Sequence, residues 1–418
     1  MNEKERLVGL LTVFVAHLGI ARITHVVVYR SFPFTDDEVS LRFGGQVLAS
    51  GSTMIPIPEW MPAMPGLFLF ARDGMLTSFD WIGSQLPWAL GILTGTGTLV
   101  FAVFAALGSA SVGLVATKRL GTPWGLMASL LFIVSPMGFA LSGSSHAHVV
   151  SRGLIAATLA FYTLAEMDRK YRWWFCVGLA GGLSAITRPI ETTSFLLPLF
   201  LHVAWRSRQE AATRRGLLLI LAGALGPLLV LLGHQYLVTG SPLTPVRWAK
   251  NEFLRTDGGS NRASVAASLF DPGVLWHRFG RNFSYNVLLL SIFGGGVVGT
   301  FFATLGVRAS SFARLLGLGV ALSLSVALVH DNPGIHVVGP IHYSELLVPI
   351  VLLCVFGIER VYRFLSEKAL YRQALGLALL GAFVVGLLSF DFWHGKALRE
   401  QAYIHQAAEE LRLAPEVR

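Results

Sequence analysis

Charge is what this sequence has least of. Only 14% of its 418 residues are Asp, Glu, Lys or Arg, against about 25% in an ordinary soluble domain. Hydrophobic residues make up 53%, and the mean hydropathy is +0.60. So little charge cannot cover a water-facing surface of this size, which excludes a soluble globular protein. Cysteine is scarcer still. Cys176 and Cys354 both lie inside apolar runs, so neither a disulfide framework nor a cysteine metal site is expected. No Gly-x-Ser-x-Gly elbow and no His-Glu-x-x-His pair occurs, and no glycine-rich turn runs into Lys-Ser/Thr. Serine-hydrolase, zincin and nucleotide-hydrolysing chemistries therefore have no support. The glycine-rich stretches 178–182 and 294–300 fall within apolar runs, where small residues let helices pack closely.

What the sequence has in abundance is apolar runs near the ~20 residues that cross a hydrocarbon core. Spans are expected at 7–29, 94–117, 122–141, 148–167, 173–188, 192–206, 216–238, 285–305, 314–331, 343–362 and 372–391. That makes an all-α polytopic membrane protein of about 11 transmembrane helices. The first run is long for a signal sequence and lacks a small-x-small cleavage site, so it is expected to be retained. With the N-terminus inside, Lys4/Arg6, Lys118/Arg119, Arg169/Lys170/Arg172 and Arg206/Arg208/Arg214/Arg215 all fall on inner segments. The short outer loops near 142–147 and 332–340 hold no Lys or Arg. This alternation predicts an N-in, C-out topology, and it accounts for much of the net charge of +9 without any nucleic-acid partner. Residues 1–391 are expected to form one transmembrane domain with long outer loops at 30–93 and 239–284, followed by a short tail, 392–418. The first loop is expected to carry amphipathic helices, beginning at Asp36.

That loop opens with Thr35-Asp-Asp-Glu38, three carboxylates just past the first span. Thr35-x-x-Glu38 has the spacing of a capping box, and acids in a first turn complement the helix dipole. Capping explains Glu38 and excuses Asp36. It does not explain such a helix start at a membrane face that also collects cations. Arg188, Arg247, Lys250 and Arg255 lie on that outer side against the positive-inside trend, and guanidinium forks suit phosphate oxygens. A local pairing such as Arg188 with Glu191 is the plainer alternative for any one of them. His146, His148 and His342 fall at outer helix ends. His146-x-His148 invites a metal, although side chains two apart diverge on a helix and no third ligand is in sight. Arg152 and Glu345 sit within spans, where a charge needs a partner or a polar cavity.

Taken in order, these features resemble the GT-C class of bacterial membrane glycosyltransferases, the group of the protein O-mannosyltransferases and the lipid A aminoarabinose transferase. The resemblance rests on Asp37-Glu38 early in the first outer loop, its Pro-rich remainder, and Ser135-Pro136 followed by Ser144-Ser-His-Ala-His148. It rests too on Ala185-Ile-Thr-Arg-Pro189 and on Gly339-Pro-Ile-His-Tyr-Ser-Glu-Leu-Leu-Val-Pro349. It implies a bacterial inner-membrane enzyme with a periplasmic or extracellular active face. The sugar would pass, with inversion, from a polyprenyl-phosphate donor to a hydroxyl of a lipid, glycan or protein acceptor. Asp37 would be the general base, with Glu38 orienting it or the acceptor. Arg188, with Arg247, Lys250 or Arg255, would hold the donor phosphate, and His146, His148, Arg152, His342, Tyr343 and Glu345 would line the cavity. No cofactor is called for, and a divalent cation is left open. The alternatives are a transporter or flippase, or a polymerase or ligase, of lipid-linked saccharides.

Overall fold

The computed structural model describes residues 3–58, 68–249, 271–329, 338–366 and 370–413. The first helix, α1 (Glu3–Ile23), runs into a π turn at Thr24–Val28. The chain then reverses through Arg30 and Ser31, which both adopt left-handed backbone (φ 56 and 58). Helix α2 (Asp36–Ala49) follows. Next come three short strands, β1 (Ile55–Pro56), β2 (Leu69–Arg72) and β3 (Met75–Ser78). They form an antiparallel sheet in the order β1-β3-β2. Amphipathic helices and a Pro-rich run were expected in this loop, and the small sheet is a departure from the all-α class. Its turn, Asp73-Gly74, has both residues at positive φ (52 and 71), the backbone of a tight two-residue hairpin.

Helices α3 (Ile82–Leu93), α4 (Leu99–Leu120), α5 (Thr122–Val134) and α6 (Pro136–Ser142) come next. Ser135 separates α5 from α6, its hydroxyl accepting from Gly138 N at 3.1 Å with Pro136 behind it. The two helices are bent 64° apart. After them run α7 (Ala147–Asp168), α8 (Tyr171–Thr187), α9 (Pro189–Ser207) and α10 (Ala211–Thr239). The remaining helices are α11 (Pro272–Gly306), α12 (Ser311–Leu328), α13 (Leu347–Ser366) and α14 (Leu370–Leu413). A 3-10 turn, Ile341–Leu346, leads into α13. Helix α14 continues through the expected start of the tail at 392.

Among the described residues, 8 helices are long and apolar enough to cross a membrane, or 9 if the bent pair α5–α6 is one span. Eleven were expected. The helices foreseen at 173–188 and 192–206 are present as α8 and α9, but α8 has only 17 residues and α9 carries Glu191, His202 and Arg206. At 1.5 Å per residue, α8 is some 25 Å long, short of a ~30 Å core.

Helix α7 lies at the centre of the molecule, buried along 94% of its most apolar stretch, and the most apolar stretch of 341–366, the 3-10 turn with α13, is buried along 89%. By contrast, α10 and α14 present bare leucines, valines and aromatics such as Leu225, Leu229 and Phe392, surface that belongs against lipid tails rather than water. Close helix contact depends on glycine. A Cβ at Gly178 would run into the Ile220 carbonyl, and one at Gly306 into that of Leu353. The run at 294–300 behaves differently from the packing stripe expected there. Gly295 and Gly296 leave the helical backbone (φ 147 and 69) and break α11 in its middle.

Candidate active site

The site is built at the end of the bundle where α2, α7, α9 and the turn before α13 meet. Thr35 caps α2, its hydroxyl accepting from Glu38 N at 3.2 Å. Glu38 reaches back one residue past the cap, its Oε2 accepting from Phe34 N at 2.7 Å. Its Oε1 accepts from both the backbone N–H and the hydroxyl of Ser145, each at 2.7 Å. One carboxylate thus closes its own helix start and also stands at the N-terminus of α7, where the dipole favours an anion. Burial alone would raise this carboxyl. The nearby His146 and the bonds from Ser145 and Phe34 outweigh it and hold Glu38 below the usual carboxylate range. Thr35 Oγ1 and His146 Nε2 complete the joint at 2.9 Å.

With Glu38 so engaged, its neighbours are freed from structural duty. Asp36 is exposed and Asp37 is half-buried. Among the described residues Asp37 makes no hydrogen bond or ion pair. It does lie close enough to Arg188 and Asp80 for its charge to act on both.

Arg188 sits at the joint between α8 and α9, held there because Pro189 cannot continue the first helix and is suited to start the second. Its guanidinium pairs with Glu191, one turn on, and its Nε lies 3.2 Å from Glu345 Oε1. Glu345 also takes the Ser344 hydroxyl at 3.0 Å and lies 3.3 Å from His148 Nδ1. His342 stacks on His148 with centroids 6.1 Å apart, and Tyr343 OH accepts from Asn286 Nδ2 at 2.9 Å. Arg152, fully buried one turn along α7 from His148, donates to Met137 O at 3.0 Å and lies over the Phe132 ring. A cavity of about 480 Å³, counting its open mouth, borders this cluster. Glu191, Ser194, His342 and Glu345 supply its polar wall, and Ile190 and Val326 part of its apolar one.

Of the residues singled out from sequence, Arg188, Glu345, His148, His342 and Tyr343 come together here. Asp37, Glu38 and His146 form the adjoining wall. Arg247 stands elsewhere, paired with Asp80 and lying 5.0 Å over the Phe79 ring. Lys250 and Arg255 fall outside the described residues. His146 and His148 are drawn to different partners, Thr35 and Ser344. Among the described residues no group of three His, Cys, Asp or Glu side chains is placed to hold a metal ion.

Sequence reasoning passed over Asp80. It follows β3 in Ser78-Phe-Asp-Trp81, a stretch with no motif, and its partner is 167 residues away. Burial pushes its carboxyl up, with Asp37 adding to the effect and Arg247 opposing it.

No family sequence model matches this chain, and no curated protein matches it in sequence. Solved structures do. The chain is similar to ArnT from Cupriavidus metallidurans bound to undecaprenyl phosphate, with a TM-score of 0.56 at 15% identity over 95% of this chain and 70% of that one. The apo form of the same protein gives 0.55 at 14% identity, over 95% and 74%. The oligosaccharyltransferase of Archaeoglobus fulgidus, tethered to an acceptor peptide with an NVT sequon, gives 0.52 at 12% identity. There the match covers 92% of this chain but only 55% of the other, so this chain spans about half that enzyme's length. An arrangement shared across almost the whole chain at such low identity is a likeness of fold: this chain folds like ArnT and the oligosaccharyltransferase.

Proposed function

We propose that the protein is an inverting membrane glycosyltransferase that moves a sugar from a polyprenyl-phosphate donor to an acceptor hydroxyl. The observation that carries this reading is the contrast between Asp37 and Glu38. Glu38 is consumed in building the joint between α2 and α7. Asp37, its neighbour, is left without a partner among the described residues and beside Arg188. A carboxylate held rigidly but unengaged suits a general base.

In this mechanism the acceptor hydroxyl gives its proton to Asp37 as its oxygen attacks the anomeric carbon. The bond from that carbon to the phosphate oxygen breaks, and the polyprenyl phosphate departs as an anion that needs no protonation. Arg188 faces the departing charge with Glu345 and Glu191 fixing its plane, so the positive group is preorganised rather than recruited. The apolar wall formed in part by Ile190 and Val326 offers the first isoprene units a surface beside it. The structures of similar fold were caught with undecaprenyl phosphate and with an acceptor peptide, which supports a lipid-phosphate donor. The distribution of basic residues supports a site on the outward face of the membrane, and the family resemblance a bacterial inner membrane.

The test is release of labelled sugar from polyprenyl-phosphate donors by purified protein and its Asp37→Asn variant. Undiminished transfer by Asp37→Asn removes Asp37 from the mechanism.

A further inference from the structure

We infer that a second pocket, separate from the Glu345 cavity, is a subsite for a neighbouring hydroxyl of the acceptor, bound between Asp80 and His234. The inference rests on the glycosyl-transfer reading. The pocket lies where the turn after β3 meets the last turns of α10 and the 3-10 turn at Val246–Trp248, and it measures about 200 Å³ with its open mouth.

Two polar atoms of its lining residues, Asp80 Oδ2 and His234 Nε2, are buried with no hydrogen-bond partner among the described residues. Both residues are only 6% exposed. Buried polar atoms in native proteins are nearly always paired, so two orphans in one pocket mark a place where something binds.

The rest of Asp80 is already committed. Oδ1 is taken by Arg247, the backbone N–H donates to Ser78 Oγ at 3.2 Å, and the carbonyl accepts from Gln85 Nε2 at 2.7 Å. Only Oδ2 is left for a ligand, at a fixed place. A hydroxyl bound in the pocket would donate to Asp80 Oδ2 and accept from His234 Nε2–H. Arg247 also lines the pocket and offsets the Asp80 charge, so the wall as a whole suits a neutral oxygen.

Its position ties it to the reaction. The turn carrying Asp80 is pinned to the Arg188 joint by Ser84 Oγ, which donates to the Thr187 carbonyl at 2.9 Å. Gly83 lies so close that a Cβ there would stand 2.6 Å from Thr187 N. The charges of Asp37 and Arg188 act on Asp80. A hydroxyl held here would flank the one that Asp37 deprotonates, and the acceptor would be a polyol.

Glycerol and propan-1-ol, which differ in the neighbouring hydroxyls, serve as probe acceptors for the full-length protein in nanodiscs with labelled polyprenyl-phosphate sugars. We expect wild-type kcat/KM to favour glycerol by about tenfold, the worth of one such hydrogen bond. The ratio should fall towards one in both His234→Leu and Asp80→Asn, with folding checked by thermal unfolding. A ratio that persists in either folded variant overturns the subsite and leaves the pocket to a bound water. Wild-type turnover with no preference for glycerol overturns it as well. Failure of the wild type to release sugar from any donor, to alcohol or to water, instead overturns the glycosyl-transfer reading, and the subsite falls with it.

Discussion

The two ends of α7 hold charge in opposite ways. At its C-terminal end each acid meets a base at the rim of the bundle. Lys118 reaches Asp168 at 2.9 Å, and Glu166 lies 3.0 Å from Arg119 and 2.9 Å from Arg206. Tyr162 OH donates to Glu166 at 2.7 Å as well. The ion-paired side chains are partly open to solvent, 18% to 35% exposed. At the N-terminal end, about 33 Å away by helix geometry, Glu38, Glu345 and Arg152 are almost wholly buried, and the Arg188 guanidinium is mostly covered. There the pairing is incomplete. Asp37 has no partner among the described residues, and Asp80 and Arg152 each keep a buried polar atom unbonded, as Arg119 Nε also does at the other end. Charges that serve only architecture can stay near water, where desolvation costs little. Charges buried without full pairing cost stability, and a fold retains them where a substrate completes the set.

The sharpest way to break this comparison is Asp37→Asn. A missing general base costs about 100- to 10,000-fold in rate, so sugar release should fall by that much. Because Asp37 is half-buried and unbonded, the melting temperature should hardly move. A variant that unfolds early instead would show Asp37 to be structural, like the acids at the other end.

Arg188→Gln should act on both quantities. It strands the buried Glu345 carboxylate and costs about 3–5 kcal/mol. The double variant Arg188→Gln/Glu345→Gln removes the stranded charge and should recover much of that loss in thermal unfolding, while transfer stays abolished. No recovery would mean that the pair is not what holds the joint.

Glu38→Gln comes next, at roughly 1–3 kcal/mol, since an amide cannot accept from Phe34 N and both Ser145 donors together. Its acid dependence has a definite sign. The folded-state carboxyl lies below its ordinary 4.5, so Glu38 contributes stability that is complete above that pH. The contribution is lost as pH falls from there through the folded-state value. Unfolding profiles of wild type and Glu38→Gln should therefore converge in acid, and parallel profiles would contradict the geometry described for Glu38.

Much of this could be read from the sequence where the interaction was local. Thr35-x-x-Glu38 announced its capping box, and Arg188-Pro-Ile-Glu191 its one-turn pair. The hairpin was missed although Arg72-Asp-Gly-Met75 carries a strong turn signal, because strands of two to four residues are too short to show alternation. Asp80 was not legible. Its function depends on Arg247, His234 and the Arg188 joint, which the fold brings together from loops far apart, and no spacing within one segment records such a meeting. The count of spans stays unconfirmed for a related reason. Hydropathy marks apolar length, while α8 and α9 meet at a joint set by Arg188-Pro189 and carry the charges that the site requires.

The smallest effect expected is at the far end of α7, in Lys118→Met. Lys118 and Asp168 are each about a quarter exposed. Water screens their attraction, and ordering two side chains offsets part of what remains, so the loss should be about 0.5 kcal/mol and no more than about 1. Added salt should shrink it further, which a buried pair such as Arg188 with Glu345 would resist. Sugar transfer should be unchanged, because the substitution lies the length of α7 away from Asp37 and leaves Glu166 with both of its arginines. Should Lys118→Met instead cost as much as Arg188→Gln, or slow transfer, the far end would be more than a solvated brace. The two ends of α7 would then have to be treated as one coupled network, with the helix between them transmitting the change.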